Sequence, residues 1–117
     1  MKKNILLEKS FQFALKSIDI YKILIKSRNE FIMSKQFLRS ATSIGANVRE
    51  SQNAQSKADF IHKLSIAQKE GDESIYWLEL LFHSEYISHQ EFNLLHTQAS
   101  ELLKIIKSII ISTKKGL

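Results

Sequence analysis

Apolar residues recur along the chain at the 3.6-residue spacing of amphipathic helices, in four segments divided by short polar stretches. The first segment is expected from Asn4 to Arg28, with Leu7, Phe11, Ala14, Ile18, Tyr21 and Ile25 on one stripe. Asn4 is placed to cap it, and Glu8 in the first turns suits the helix dipole. Arg28-Asn29-Glu30 is a polar break carrying a turn-tolerant Asn. The second segment runs from Phe31 to Gln55 on Phe37, Ala41, Ile44 and Val48. The third begins at Ser56, whose spacing to Asp59 resembles a capping box, and follows Phe60, Leu64, Ala67, Gly71, Ser74, Leu78 and Leu81 to His83. The fourth opens on the capping box Ser88-His89-Gln90-Glu91 and continues on Phe92, Leu95, Ala99, Leu102, Ile106 and Ile109. Helices of about 25 to 28 residues would be roughly 37–42 Å long. Short connections force antiparallel neighbours, so the expected fold is all-α: one up-down-up-down antiparallel four-helix bundle over residues 1–117.

Two of these helices carry more apolar surface than one stripe uses. The first also has Phe13, Ile20, Ile23 and Leu24, and the fourth has Leu103, Ile105, Ile110 and Ile111. A helix apolar on two faces is either deeply buried or buries the second face in another subunit. No helix is central in a four-helix monomer, so Phe13, Ile20, Ile23 and Leu24 are read as an oligomer interface.

Composition narrows the chemistry. Among 117 residues there is no proline, no cysteine and only three glycines, which permits long helices and removes disulfides, thiol catalysis and cysteine metal sites. The amino-terminal apolar run stops at Glu8-Lys9, too short for a signal core, and no stretch reaches the ~20 apolar residues of a membrane span. A cytoplasmic protein without membrane contact is expected. The net charge of +5 is uneven. Residues 57–87 hold three Lys/Arg against six Asp/Glu, whereas residues 1–31 hold seven against three.

Polar residues also sit close to the core. Arg39, Ser43, Ala46 and Glu50 share one flank of the second helix, and Glu70, Glu73 and Trp77 share one of the third. Centring the intervening turn near Ser56 brings residues 39 and 73 level, so Arg39 should reach Glu73 as a partly buried ion pair. Asn47, between Ile44 and Val48, needs partners for its amide. Arg39, Ser43, Asn47, Glu50, Glu70 and Glu73 are read as a register-fixing network rather than a ligand site. Gly45 in mid-helix costs about 1 kcal/mol relative to Ala, which points to a close neighbour.

The run Ser34 to Ser40, followed by Thr42-Ser43-Ile44-Gly45-Ala46-Asn47-Val48-Arg49-Glu50, resembles a bacterial family of four-helix bundles. That family is named for reading frames within intervening sequences of 23S ribosomal RNA genes. Ala54 to Ile61, Lys63 to Glu70, Glu73, and Tyr76 to Leu81 extend the resemblance, with Gly71 where Ala would be usual. The resemblance implies a homopentamer. It also implies kinship with the pentameric accessory proteins of diversity-generating retroelements, which bind a reverse transcriptase and nucleic acid. It carries over no catalytic residue and no cofactor.

The expected function is therefore a non-enzymatic, homo-oligomeric accessory protein that binds RNA, DNA or a nucleic-acid-handling protein. Candidate phosphate contacts are Lys2, Lys3, Lys35, Arg39, Arg49, Lys114 and Lys115. The alternative is a purely protein-binding scaffold. A metallo-bundle enzyme would need paired Glu-x-x-His motifs and further carboxylates. Asp59-x-x-His62 stands alone, His89 and His96 lack a carboxylate set, and His83 follows Glu79 at four residues only. No metal site is expected.

Overall fold

The computed structural model describes residues 4–116. Its four helices are α1 (Ile5–Lys26), α2 (Met33–Ser51), α3 (Lys57–His83) and α4 (His89–Lys114), with no strand among the described residues. Each helix packs on its two chain neighbours and α4 closes against α1, so the order around the bundle is α1-α2-α3-α4. The molecule measures 47 × 26 × 20 Å, the proportions of an up-down-up-down bundle.

The ends of the helices follow from local chemistry. The Asn4 side chain accepts from Leu7 N–H at 3.0 Å and opens α1. After α1, Asn29 takes the left-handed conformation at φ 54°, which turns the chain. Ser88 and Glu91 make the full reciprocal box at the start of α4, at 3.0 and 2.7 Å. At α3 the box is offset by one residue. Ser56 accepts from Asp59 N–H, whereas the Asp59 carboxylate reaches back to Gln55 N–H. Helix α2 is shorter than its apolar period indicated, because Phe31 and Ile32 belong to the connection and the helix ends at Ser51. Its first turn is held by Glu30, whose carboxylate accepts from Ile32, Met33 and Ser34 N–H at 3.2, 3.2 and 2.6 Å.

The core is one continuous cluster fed by all four helices, with Phe13 and Phe37 in edge-to-face contact at 6.5 Å. The α2 stripe Phe37, Ala41, Ile44 and Val48 is buried as its spacing required. In α4, Leu95, Ala99, Leu102 and Ile106 are buried together with Leu103 and Ile110, so most of its extra apolar surface widens the core stripe.

Helix α1 departs from expectation. Its core face is Leu6, Ser10, Phe13, Ser17, Ile20 and Leu24. The residues assigned to an oligomer interface are thus largely interior: Phe13, Ile20 and Leu24 are buried within the chain, and Ile23 alone of the four is exposed. The stripe assigned to the core is turned about a quarter revolution away, leaving Phe11 50% exposed and Leu7, Ala14, Ile18, Tyr21 and Ile25 half-buried. The reason lies in serine. Ser10 and Ser17 are fully buried because each hydroxyl donates to a carbonyl of its own helix, Leu7 O and Phe13 O. Ser40, Ser51 and Ser74 are buried in the same way, and buried Ser34 donates to Glu30 O in the connection before α2. The small, self-satisfied side chains let helices approach closely.

Two glycines mark close approaches of different severity. A methyl carbon on Gly45 would meet the Ser10 carbonyl of α1 at 3.5 Å, an ordinary contact distance. At Gly71 it would stand 2.7 Å from Leu103 Cδ2. Gly71 is thus the seat into which α4 places Leu103.

Candidate functional site

Arg39 forks between two carboxylates of α3. One guanidinium nitrogen donates to Glu73 at 2.8 Å and another to Glu70 at 3.1 Å. The hydrogen bond donated to Glu73, then the charge of Glu70, hold the guanidinium even further above the range in which it could lose a proton. The antiparallel register expected from the turn is the one observed, but the contact is wetter: the Arg39 side chain is 52% exposed and Glu70 only 12%. Ser43 and Asn47 do not join it. The Ser43 hydroxyl donates to Arg39 O and the Asn47 amide to Ser43 O, both within α2. Glu50 pairs separately with Lys63 at 3.0 Å. The single network expected from Arg39 to Glu73 is therefore two ion-pair clusters and a row of local hydrogen bonds. An Asn or Ser one turn from a free carbonyl has a partner inside its own helix.

A second tie, which sequence spacing missed, joins the end of α1 to the start of α4. Arg28 clamps Glu91 through both guanidinium ends at 2.9 and 3.2 Å and also donates to Tyr86 O at 2.6 Å. Burial pushes the Glu91 carboxyl up, but the hydrogen bonds from Arg28 and Ser88 outweigh it and the net shift is downward. The two partners are 63 residues apart. Only the polar Arg28-Asn29-Glu30 break hinted that this segment does more than turn.

The remaining candidates are dispersed. Lys35 lies in the first turn of α2, and Arg49 lines a groove between α1 and α2. Lys114 and Lys115 end α4, while Lys2 and Lys3 lie outside the described residues. The groove has a volume of about 400 Å³, with Leu7, Phe11 and Ala14 on one wall and Thr42, Gly45 and Ala46 on the other. Glu8, Gln12 and Arg49 line an adjoining hollow with Leu7 and Phe11. Among the described residues no three His, Asp or Glu side chains come close enough to hold a metal ion. His89 instead accompanies His83 and His96 around the stacked pair Phe82 and Phe92, whose ring centres are 4.6 Å apart. No described helix is long and apolar enough to cross a membrane.

The 23S rRNA-intervening sequence protein family matches residues 2–108. The chain belongs to this family. A solved relative is the crystal structure of a protein of unknown function from the S23 ribosomal protein family of Bacteroides thetaiotaomicron VPI-5482. It is 49% identical, covers 91% of this chain and 98% of its own, and superposes with a TM-score of 0.90. No protein of curated function matches the sequence.

In this intervening-sequence family bundle, charge divides along the long axis. Cutting each helix near its middle, and counting the mid-helix Glu70 and Glu101 (which pairs with Lys9) on this side, the half that contains the start of α1 and the end of α4 holds nine described Lys/Arg: Lys9, Arg49, Lys57, Lys63, Lys69, Lys104, Lys107, Lys114 and Lys115. Against them stand Glu8, Glu50, Asp59, Glu70 and Glu101, for a balance of +4. The other half holds six Lys/Arg against seven Asp/Glu, for −1. The acidic character assigned to the third helix thus belongs to its carboxy-terminal half, where Asp72, Glu73 and Glu79 lie.

Proposed function

We propose that this chain is a self-associating, non-enzymatic accessory bundle of the bacterial cytoplasm that holds nucleic acid through its phosphate backbone. The observation that carries this reading is the axial charge separation: one half of the molecule is basic at +4 and the other is close to balance at −1. A field concentrated at one end attracts polyanions more strongly than the same charge spread evenly. The ribosomal description of the solved relative's family fits an RNA partner.

Assembly multiplies this field. A homopentamer, which the family resemblance implies, would bring +5 per chain to about +25 per particle. The half-exposed edge of α1, with Phe11 50% and Leu15 43% exposed beside the α1/α2 groove, supplies an apolar surface suited to a neighbouring subunit. This replaces the Phe13 face, which the core consumes.

The test is a titration of labelled RNA and DNA by anisotropy across salt concentrations, with particle mass measured by sedimentation. Binding should be clear at ~50 mM salt and fall by about 10³ or more by ~200 mM. A flat low-salt titration removes nucleic-acid binding, and binding that persists at ~0.5 M salt contradicts a backbone-charge mechanism. A monomer at micromolar concentration removes the assembly. Phe11→Glu should then dissociate the particle without loss of helix, whereas Phe13→Ala should unfold it, at about 3–5 kcal/mol.

A further inference from the structure

We infer that the phosphate-binding surface is a lysine ridge on the carboxy-terminal half of α4 and the adjoining amino-terminal half of α3, and that it grips the backbone without reading bases. This rests on the proposed nucleic-acid function and assigns it a site. Lys104, Lys107, Lys114 and Lys115 stand on α4, flanked by Lys57 and Lys69 of α3, and all six are exposed. None makes an ion pair among the described residues.

What isolates this ridge is where the carboxylates of the same half go. Glu101 holds Lys9 on the α1 side, Glu50 holds Lys63 on the α2 side, and Glu70 holds Arg39 there too. Asp59 accepts from Gln55 N–H, and Glu8 stands on α1 in a hollow it lines with Arg49 of α2. Asp72, one turn beyond Lys69, is the acidic residue at the upper margin. Glu101, Glu50 and Glu70 are thus engaged by cations outside the ridge, and no carboxylate pairs with a ridge lysine among the described residues. Lys114 lies in the last turn of α4, where a cation also suits the helix dipole. Lys104 and Lys107 are well inside the helix and have no such role.

Shape and chemistry specify the ligand. Lys104 to Lys115 spans about 16 Å at 1.5 Å per residue, which matches about five phosphates at 3.4 Å along one strand of a duplex. The only Phe, Tyr or Trp in residues 57–69 and 104–115 is Phe60, and it packs on the core. Base stacking therefore has no platform here. Ile111 is the one large exposed hydrophobic residue of the ridge, too little to embed in a lipid surface. Arg39, named as a phosphate contact on its charge, is engaged by two carboxylates in the middle of the bundle and has no place on the ridge.

The experiment compares two triple variants of the full chain with equal charge change: Lys104, Lys107 and Lys115→Gln against Lys16, Lys22 and Lys26→Gln. Probes are labelled 20-base-pair RNA and DNA duplexes of two unrelated sequences, and phosphatidylserine vesicles. The ridge variant should bind duplex at least tenfold more weakly at ~100 mM salt. Its log–log salt slope should be shallower by about 2–3, near 0.9 for each phosphate that is no longer neutralised. The α1 variant should change less than threefold, and the two sequences should bind alike. Restoring the three ridge positions as Arg should recover binding, which separates charge from folding. Equal losses in the two triples would overturn the ridge while leaving nucleic-acid binding intact. Absence of binding by the unaltered protein overturns both readings, and strong preference for one sequence overturns the base-blind grip. Binding to vesicles with none to either duplex assigns the ridge to lipid and overturns it as well.

Discussion

Substitution of Gly71 by Ala tests the packing of α4 on α3 at its tightest point. The added methyl would lie 2.7 Å from Leu103 Cδ2 and 3.2 Å from its Cγ. Carbon atoms are at their optimum near ~3.5–4.0 Å, so both approaches are repulsive. Rotating the Leu103 tip relieves the first but leaves Cγ in place, so relief requires a new χ1 or a shift of α4. Leu103 is buried, and forcing such a rearrangement costs about 1–3 kcal/mol. Replacing a mid-helix glycine by alanine returns about 1 kcal/mol. The net expectation is a destabilisation of about 0–2 kcal/mol. Leu103→Ala alone should cost about 2–3 kcal/mol, because it removes buried methyl groups and leaves a cavity. With Leu103 already truncated, Gly71→Ala meets no obstacle and should stabilise by about 1 kcal/mol. A double-mutant cycle by urea denaturation at fixed protein concentration therefore has a coupling of about 2 kcal/mol. Gly71→Ala stabilising both backgrounds equally would refute the clash. Gly45→Ala is the internal control: its methyl meets Ser10 at 3.5–3.6 Å, and stability should hold or rise by up to about 1 kcal/mol.

Other outcomes follow from the polar ties. Glu91 has its folded-state carboxyl lowered, so its stabilisation is complete above the ordinary carboxylate range and is lost as pH falls through the depressed value. The unaltered protein should exceed Glu91→Gln by about 1–2 kcal/mol near neutrality and by progressively less toward pH 3; a constant gap in thermal scans refutes the linkage. Glu30→Ala removes the acceptor for three N–H groups at the start of α2 and should cost about 1–2 kcal/mol, with faster amide exchange confined to Ile32, Met33 and Ser34. Arg39→Ala leaves the nearly buried Glu70 without its partner and should cost about 1–2 kcal/mol. Glu73→Ala removes only the exposed arm and should cost about 0–1 kcal/mol, so the reverse order by chemical denaturation contradicts the assigned burial.

The parts of this fold legible in sequence are those where one signal had no competitor. Helix α2 has a single apolar stripe among polar residues, and the stripe is the core. Ser88 and Glu91 have the spacing of a capping box and form one. The antiparallel register followed from turn position, and Arg39 meets Glu73 where counting from Ser56 places it. The candidate site was less legible. Lys114 and Lys115 could be named as basic residues, but the vacancy of their surface depends on Glu101, Glu50 and Glu70 turning elsewhere, which is a property of three-dimensional neighbours. Glu30 gave no sequence sign of capping because its carboxylate acts from before the helix start, outside the usual Ser/Thr/Asp/Asn rule.

Helix α1 explains why hydropathy alone could not choose between core and interface. Its two candidate faces differ by about a quarter turn, and the half-buried one is the more continuously apolar, with Leu7, Phe11, Ala14, Ile18, Tyr21 and Ile25 against a core face that includes Ser10 and Ser17. Scoring serine as polar therefore selects the wrong face. Serine inside a helix carries its own acceptor one turn back, so its burial costs little, and its small volume permits the approach of α2 at Gly45. A monomer would gain little from the remaining stripe, since Phe11 and Leu15 stay half in water. The chain thus encloses its core with the serine-bearing face and leaves the richer stripe half-buried, most open at Phe11. Substitutions that test the proposed self-association belong at Phe11 and Leu15, and the same substitutions at Phe13 or Leu24 would report folding instead.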